Sequence, residues 1–214
     1  MSSNADSSHQ GSAANRALQR YYQLHSRIYD ATRWSFLFGR NAIVERAADV
    51  VAPRRILEVG CGTGKNLHAL AQRFPNAELA GIDLSGEMLD IARRKLAPLG
   101  ERIQLHQHAY SSALAQGDGF DLVLFSYALS MFNPGWETAV DAASHDLSSN
   151  GVIAVVDFHN SRFGAFRKWM GVNHVRMDGH LLPVLTHRFQ PLLSDERSAY
   201  GGIWRYFLFI GRPH

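Results

Sequence analysis

Short apolar runs that alternate with helical segments constrain the fold of this chain more than any other feature of its sequence. The runs are rich in β-branched and aromatic residues, and the segments after them have the apolar spacing of amphipathic helices. The predicted strands are residues 55–59, 78–82, 103–106, 120–126, 151–158 and 203–210, and the predicted helices are 65–73, 86–96, 136–147 and 163–175. This alternation is typical of a doubly wound, mostly parallel α/β sheet with right-handed crossovers.

The rest of the chain predicts one folded domain with an N-terminal extension. Residues 1–14 are polar and are expected to form a disordered tail, residues 15–52 have helical spacing and form a predicted N-terminal cap, and residues 53–214 form the predicted core. With 46% hydrophobic and 19% charged residues in 214, the chain has the composition of a globular protein.

Charge and cysteine usage exclude several classes of protein. A single cysteine cannot form an internal disulfide, and no apolar run is long enough to cross a membrane, so we expect a cytoplasmic protein whose only membrane contact is peripheral. A net charge of +3 is compatible with an anionic membrane surface and too small to indicate a nucleic-acid partner. The histidine spacings match no metal-ligand pattern, so no metal is expected. The sequence leaves the oligomeric state open.

The segment ILEVGCGTGKN, residues 56–66, carries the strongest functional signal. Glycines at 60, 62 and 64 let a ligand approach the backbone at the start of the next predicted helix. The spacing fits neither of the common phosphate-binding glycine motifs. Glu58 is suited to a cationic or N–H-rich partner, and Asp83, at the end of the neighbouring strand, is suited to ribose hydroxyls.

With ILEVGCGTG and GIDLS, residues 55–160 resemble the class I S-adenosylmethionine-dependent methyltransferases. The resemblance implies their seven-stranded Rossmann-like fold with an N-terminal helical lid, and S-adenosyl-L-methionine as the cofactor. It places Gly60 and Gly62 near the methionine part, Asp83 on the ribose, and Leu84 and Met88 on the adenine. His108 stands where the family often has an acidic residue. The full predicted cofactor set is Tyr29, Glu58, Gly60, Cys61, Gly62, Asp83, Leu84, Met88, His108, Ala109 and Ser126.

Residues 22–40, 158–188 and 199–213 are similar to the bacterial N-methyltransferases that trimethylate the amine of diacylglyceryl-homoserine to make betaine lipids. This similarity implies an amine-bearing lipid substrate at the inner membrane surface. Phosphatidylethanolamine and soluble small molecules remain alternative acceptors, because the same scaffold serves them. A further alternative is a partner subunit without catalytic activity. The one feature in its favour is His108, which departs from the family's usual acidic residue.

Methyl transfer to an amine needs a neutral nitrogen, so a nearby base is expected. His159, directly after the fifth predicted strand, is the predicted proton acceptor, and Tyr127, directly after the fourth, is the second predicted catalytic residue. The predicted acceptor contacts are Trp34, Tyr127, His174, Arg176 and Tyr200. Core packing is the alternative for Trp34 and Tyr127, and an ion pair with Asp178 is the alternative for Arg176. Basic and aromatic residues of the N-terminal helices are suited either to anionic lipid or to a lid.

Overall fold

The computed structural model describes residues 37–115, 117–172 and 174–214. The chain divides into two compact units, Met1–Phe38 and Gly39–His214, and the helices and strands named below belong to the second. The predicted tail and most of the predicted cap, with Tyr29 and Trp34, lie outside the described residues. None of the described helices is long and apolar enough to cross a membrane.

A seven-stranded sheet forms the centre of the second unit and confirms the predicted fold class. Its strands are β1 (Arg55–Val59), β2 (Glu78–Asp83), β3 (Ile103–Gln107), β4 (Phe120–Ser126), β5 (Leu147–Asn160), β6 (Gln190–Ala199) and β7 (Trp204–Arg212). The order across the sheet is β3-β2-β1-β4-β5-β7-β6. Strands β1 to β5 pair in parallel, and β7 runs antiparallel to both β5 and β6. The carboxyl ends of β1, β2, β4 and β5 therefore meet at one edge, where ligands bind in such sheets.

Helices cover the sheet and connect its parallel strands. They are α1 (Arg40–Ala48), α2 (Lys65–Arg73), α3 (Gly86–Leu96), α4 (Trp136–Asp146), α5 (Gly164–Val172) and α6 (Leu181–Arg188). On one face of β5, Ile153 and Val155 belong to a core cluster with apolar residues of α4 and α6, while the alternate residues of the strand point to the other face. Helix α1, which the sequence analysis placed in the cap, buries Ile43, Val44 and Ala47 within the second unit.

The predicted elements agree with the structure where the apolar pattern is regular. Helices 65–73 and 86–96 and strand 120–126 have the predicted bounds. The sequence analysis located neither α6 nor β6. Helix α6 has only eight residues, and β6 is an edge strand of polar residues with alternating partial exposure, so it lacks the apolar run of a buried strand.

Candidate active site

The loop between β1 and α2 is shaped by three glycines with left-handed backbone conformations. Gly60, Gly62 and Gly64 have φ angles of +72°, +52° and +70°, which side chains other than glycine rarely adopt. The amides of Gly60 and Cys61 both donate to the carbonyl oxygen of Ile82, at 2.8 and 2.9 Å, and so fix the loop to β2. A Cβ built on Gly62 meets no atom within 4 Å. The loop therefore leaves room for a ligand beside Gly62.

Asp83 ends β2 next to this opening. Its Oδ2 accepts a hydrogen bond from the amide of Gly62 at 2.8 Å, and its Oδ1 accepts one from the amide of Ser85 at 2.9 Å. Each carboxylate oxygen keeps a further acceptor position, so Asp83 can also receive a pair of ribose hydroxyls. Leu84, the next residue, has 66% of its surface exposed. An exposed leucine here offers an apolar surface to an adenine ring.

Glu58 lies fully buried in β1, two residues before the loop. Its Oε1 accepts a hydrogen bond from Nδ2 of Asn66 at 2.7 Å, whereas its Oε2 has no hydrogen-bond partner among the described residues. Burial raises the pKa of Glu58 to about 7, while nearby Arg40 and the Asn66 hydrogen bond oppose the rise. A buried oxygen of this kind needs a donor. The open space at Gly62, the acceptors of Asp83 and the Glu58 oxygen together fit S-adenosylmethionine.

The other residues of the predicted cofactor set occupy different environments. Cys61 is buried, and burial raises the pKa of its thiol, so it stays protonated. Ser126 is buried and accepts a hydrogen bond from Nε of Arg40 at 3.2 Å. Met88 is half-buried, and its amide donates to the Oγ of Ser85 at the start of α3. His108 and Ala109 are exposed after β3, with His108 Nδ1 2.9 Å from the Ala109 carbonyl oxygen. Their contacts with the cofactor stay predictions.

A strained turn follows β4. Tyr127 has a φ angle of +57°, and its amide donates to the carbonyl oxygen of Val156 at 2.8 Å. Its ring is buried and packs edge-on against Phe158, with the ring centroids 4.6 Å apart. Burial and the charge of Asp157 raise the pKa of the phenol. The structure thus packs Tyr127 in the interior, in agreement with the core-packing alternative, and its role in catalysis or acceptor binding stays a prediction.

Residues 128–130 connect the glycine loop to a second buried carboxylate. A Cβ built on Gly60 would lie 2.8 Å from the Cβ of Ala128. The amide of Ser130 donates to Oδ2 of Asp157 at 3.0 Å, and the Ser130 carbonyl oxygen accepts from the amide of Arg176 at 2.9 Å. Burial raises the pKa of Asp157 to about 6, against opposing hydrogen bonds from the chain around it. Direct contacts therefore run from the glycine loop to the segment that carries Arg176.

A cavity of about 700 Å³ lies at the carboxyl end of β5, between β6 and α6. Its polar lining includes His159, Asn160, Asp178, Ser194 and Glu196. His159 Nε2 lies 3.6 Å from Oε2 of Glu196, and His159 Nδ1 is buried with no hydrogen-bond partner in the described part of the chain. Burial lowers the pKa of His159, although Glu196 opposes this. A neutral imidazole whose Nε2–H faces Glu196 leaves Nδ1 as a proton acceptor.

None of the predicted acceptor contacts within the described residues lines this cavity. Arg176 Nε donates to Oδ2 of Asp178 at 2.7 Å, so the ion pair, one of its two predicted roles, is the arrangement in the structure. His180 pairs with the same carboxylate and packs edge-on against Trp136. His174 is exposed with a φ angle of +62°. Tyr200 is exposed in the turn before β7, with its ring centroid 4.8 Å from that of Trp204.

Sequence reasoning missed three polar residues of the site. Asp157 interrupts an apolar strand, and this interruption was the available signal, because a buried carboxylate at the end of a strand needs donors around it. Asn66 and Glu196 gave no comparable signal, since Glu196 lies on the edge strand that was not located. Within the described ranges, no group of three His, Cys, Asp or Glu residues could hold a metal ion.

Comparison with known proteins agrees with this geometry. A family model described as a methyltransferase domain matches residues 56–151. A demethylmenaquinone methyltransferase of Thermus thermophilus is 32% identical over 165 residues, which cover 75% of this chain and 69% of that protein. A trans-aconitate 2-methyltransferase of Paracidovorax citrulli is 35% identical over 104 residues, 49% of this chain and 38% of that protein.

Among solved structures, the Burkholderia thailandensis 1,6-didemethyltoxoflavin-N1-methyltransferase with bound 1,6-didemethyltoxoflavin and S-adenosylhomocysteine has the same fold. Its TM-score is 0.66 at 17% identity, with 100% of this chain and 93% of that chain covered. The family match, the extent of the Thermus alignment and the glycine loop agree. The chain belongs to the class I S-adenosylmethionine-dependent methyltransferases.

Proposed function

We propose that this methyltransferase acts on a primary or partly methylated amine, and that the amine is the head group of a lipid such as diacylglyceryl-homoserine. The cavity at the end of β5 carries the proposal. It combines an imidazole nitrogen that is buried without a partner among the described residues with the carboxylates of Glu196 and Asp178, which pair with Arg205 at 2.6 Å and with Arg176 at 2.7 Å. Carboxylates favour a cationic ammonium group, which is the form in which an amine arrives and in which each methylated product leaves.

The chain's own residues prepare the nitrogen for reaction. Bound S-adenosylmethionine supplies an electrophilic methyl group on a sulfonium sulfur. Glu196 holds the incoming ammonium group, and the neutral imidazole of His159 accepts one proton from it, which leaves the lone pair that forms the new N–C bond. The electrons of the broken C–S bond remain on sulfur. His159 suits this role because burial lowers its pKa and keeps the ring neutral near pH 7. Holding both reactants in line supplies much of the acceleration.

The cofactor side of the site has separate residues. Asp83 would hold the ribose, the exposed face of Leu84 would cover the adenine, and Glu58 Oε2 would accept from the amino group. The backbone of Gly62 borders the open space between them. This division predicts that changes in the β5 cavity alter the Michaelis constant for the acceptor without altering affinity for the cofactor.

Phosphatidylethanolamine and soluble amines are the alternatives that the experiment separates. The purified full chain is given methyl-labelled S-adenosylmethionine with vesicles that contain diacylglyceryl-homoserine, with vesicles that contain phosphatidylethanolamine, or with free homoserine. We expect labelled methyl groups on the first lipid only. Turnover only with phosphatidylethanolamine or with the soluble amine would overturn the proposed head group, and labelling of oxygen or carbon alone would overturn the amine acceptor.

A matched pair of variants tests the cavity. Glu196→Gln removes the charge that faces His159 and should raise the Michaelis constant for the amine about tenfold, because hydrogen bonds to charged groups contribute about 1.5–3 kcal/mol. Glu137→Gln, at an exposed position on α4, is the control. Equal Michaelis constants for the two variants would show that the acceptor does not bind in this cavity.

A further inference from the structure

Helix α5 presents an apolar face to solvent. Ala165, Trp169 and Val172 follow one another at the spacing i, i+4 and i+7, so they lie on one side of the helix. All three are exposed, whereas Met170 on the other side is buried. This is the reverse of the usual pattern, in which the apolar stripe of a helix faces the core.

The turn between β6 and β7 extends this apolar face. The ring of Trp169 lies 5.8 Å from that of Phe166, which stacks at 5.3 Å on Trp204, and Trp204 lies 4.8 Å from Tyr200. We call the exposed apolar residues of α5, of the residue just before it and of this turn the α5 patch. Its large apolar members are Phe163, Trp169, Val172, Tyr200 and Ile203, with 47%, 52%, 75%, 52% and 41% of their surfaces exposed. Exposed apolar residues grouped in this way mark interaction sites.

The segment that carries α5 is basic. Residues 161–172 contain Arg162, Arg167 and Lys168 and no aspartate or glutamate. Arg162 lies over the ring of Phe163, and Lys168 is exposed on α5 next to Trp169. Aromatic residues that are interleaved with basic ones are typical of helices that lie in the interface of an anionic membrane. A protein partner would need an acidic surface with a matching apolar groove, whereas anionic lipid offers both features at once.

The α5 patch adjoins the cavity at the end of β5. His159 and Asn160 line the cavity, and Arg162 and Phe163 follow within three residues. The segment is tied to the β6–β7 turn because the Oγ of Ser161 donates to the carbonyl oxygen of Ile203. A short segment of the chain therefore joins the patch to the lining of the cavity.

We infer that the α5 patch docks the enzyme onto an anionic lipid bilayer and so presents lipid head groups to the cavity. This inference deepens the proposed function, and the biological purpose of docking rests on that function. The test of the inference measures membrane binding alone. Docking through α5 and the β6–β7 turn is distinct from contact by the N-terminal helices, for which the sequence leaves anionic lipid and a lid as alternatives.

Vesicle flotation in the absence of S-adenosylmethionine tests the inference. The full chain should float with vesicles of phosphatidylcholine and phosphatidylglycerol, should float poorly with phosphatidylcholine alone, and should be released by high salt. The variant Lys168→Glu/Trp169→Ser should lose at least about tenfold in affinity for the anionic vesicles. The matched control is Arg94→Glu/Ile91→Ser, which makes the same kinds of change at exposed positions on α3.

Cofactor affinity and the melting temperature show whether each variant is folded. Val172→Glu, at the most exposed position of the patch, provides a second test that removes no ring contact. Flotation of both patch variants at the level of the wild type would overturn the inference, as would a wild type that fails to bind anionic vesicles. Membrane binding without methylation of any lipid amine would support docking through the α5 patch and refute the proposed function instead.

Discussion

Replacing Glu58 with glutamine should stabilise the protein at pH 8 and leave its stability nearly unchanged at pH 4. Burial raises the pKa of Glu58 from 4.5 to about 7. Between these two values the unfolded chain has lost the proton while the folded chain still holds it, so the stability of the wild type falls as the pH rises. At 1.36 kcal/mol per pH unit, the loss amounts to about 3 kcal/mol. Glutamine does not titrate and avoids this loss, and its Oε1 can still accept from Asn66.

Urea unfolding of both proteins at several pH values measures this effect. The difference between their unfolding free energies isolates Glu58, because the other titrating groups contribute to both curves. The difference should grow from near zero at pH 4 to about 3 kcal/mol at pH 8 in favour of Glu58→Gln. Glu137→Gln, at an exposed position, should show no such trend. A variant that is equally stable or less stable than the wild type at pH 8 would refute the reasoning.

The same substitution should weaken cofactor binding. Glu58 Oε2 has no hydrogen-bond partner in the described part of the chain, and glutamine places an N–H donor where the ligand's amino group needs an acceptor. A lost hydrogen bond to a charged group corresponds to about 1.5–3 kcal/mol, or roughly 10–150-fold in affinity. Calorimetric titration with S-adenosylhomocysteine checks this. Unchanged affinity would show that Glu58 does not bind the cofactor, and the burial of its carboxyl group would then have no assigned function.

Three further substitutions test the site. Gly62→Ala should weaken cofactor binding at least about tenfold, because the added methyl group fills the open space. Gly100→Ala is the control, because Gly100 has a φ angle of +56° and equally empty surroundings, and it should not weaken binding. Equal affinities of the two variants would show that the cofactor does not bind at the glycine loop. Asp83→Ala should weaken cofactor binding by about 1.5–3 kcal/mol. Asp121→Ala is the control: like Asp83, Asp121 accepts hydrogen bonds from two backbone amides, but its loss should reduce only the stability of the fold. Calorimetric titration and thermal unfolding of both variants separate the two effects. His159→Ala should lower turnover about 100-fold at neutral pH and recover part of the loss at higher pH, where the amine loses its proton without help; wild-type turnover would exclude His159 as the base.

Local patterns were enough to predict the half of the sheet to which we assign the cofactor. There each strand is a short apolar run buried on both faces, and the glycines and Asp83 follow directly at the strand ends, so sequence order alone brings them together. The bounds of α2 and α3 were predictable for the same reason: each has a regular apolar stripe, and Ser85 caps α3.

The acceptor half could not be predicted in the same way. Glu196 meets His159 only because β6 pairs with β7, and β7 pairs with β5, which is a long-range arrangement with no local signal. For Tyr127 the sequence left core packing and a catalytic role open, and only the structure shows that its ring is buried against Phe158. The exposed stripe of α5 has the spacing of a core helix, so only the exposure of its side chains in the structure distinguishes it.

Lipid analysis of cells that express the protein and are fed methionine with a deuterated methyl group tests whether the enzyme methylates a lipid amine. The cells also receive, or already make, diacylglyceryl-homoserine, and the extracted lipids are examined by mass spectrometry. We expect deuterated methyl groups on the head-group nitrogen in cells with the wild type, and their absence with His159→Ala/Glu196→Gln. Deuterated methyl groups confined to water-soluble products, or equal lipid labelling in the two strains, would contradict this expectation.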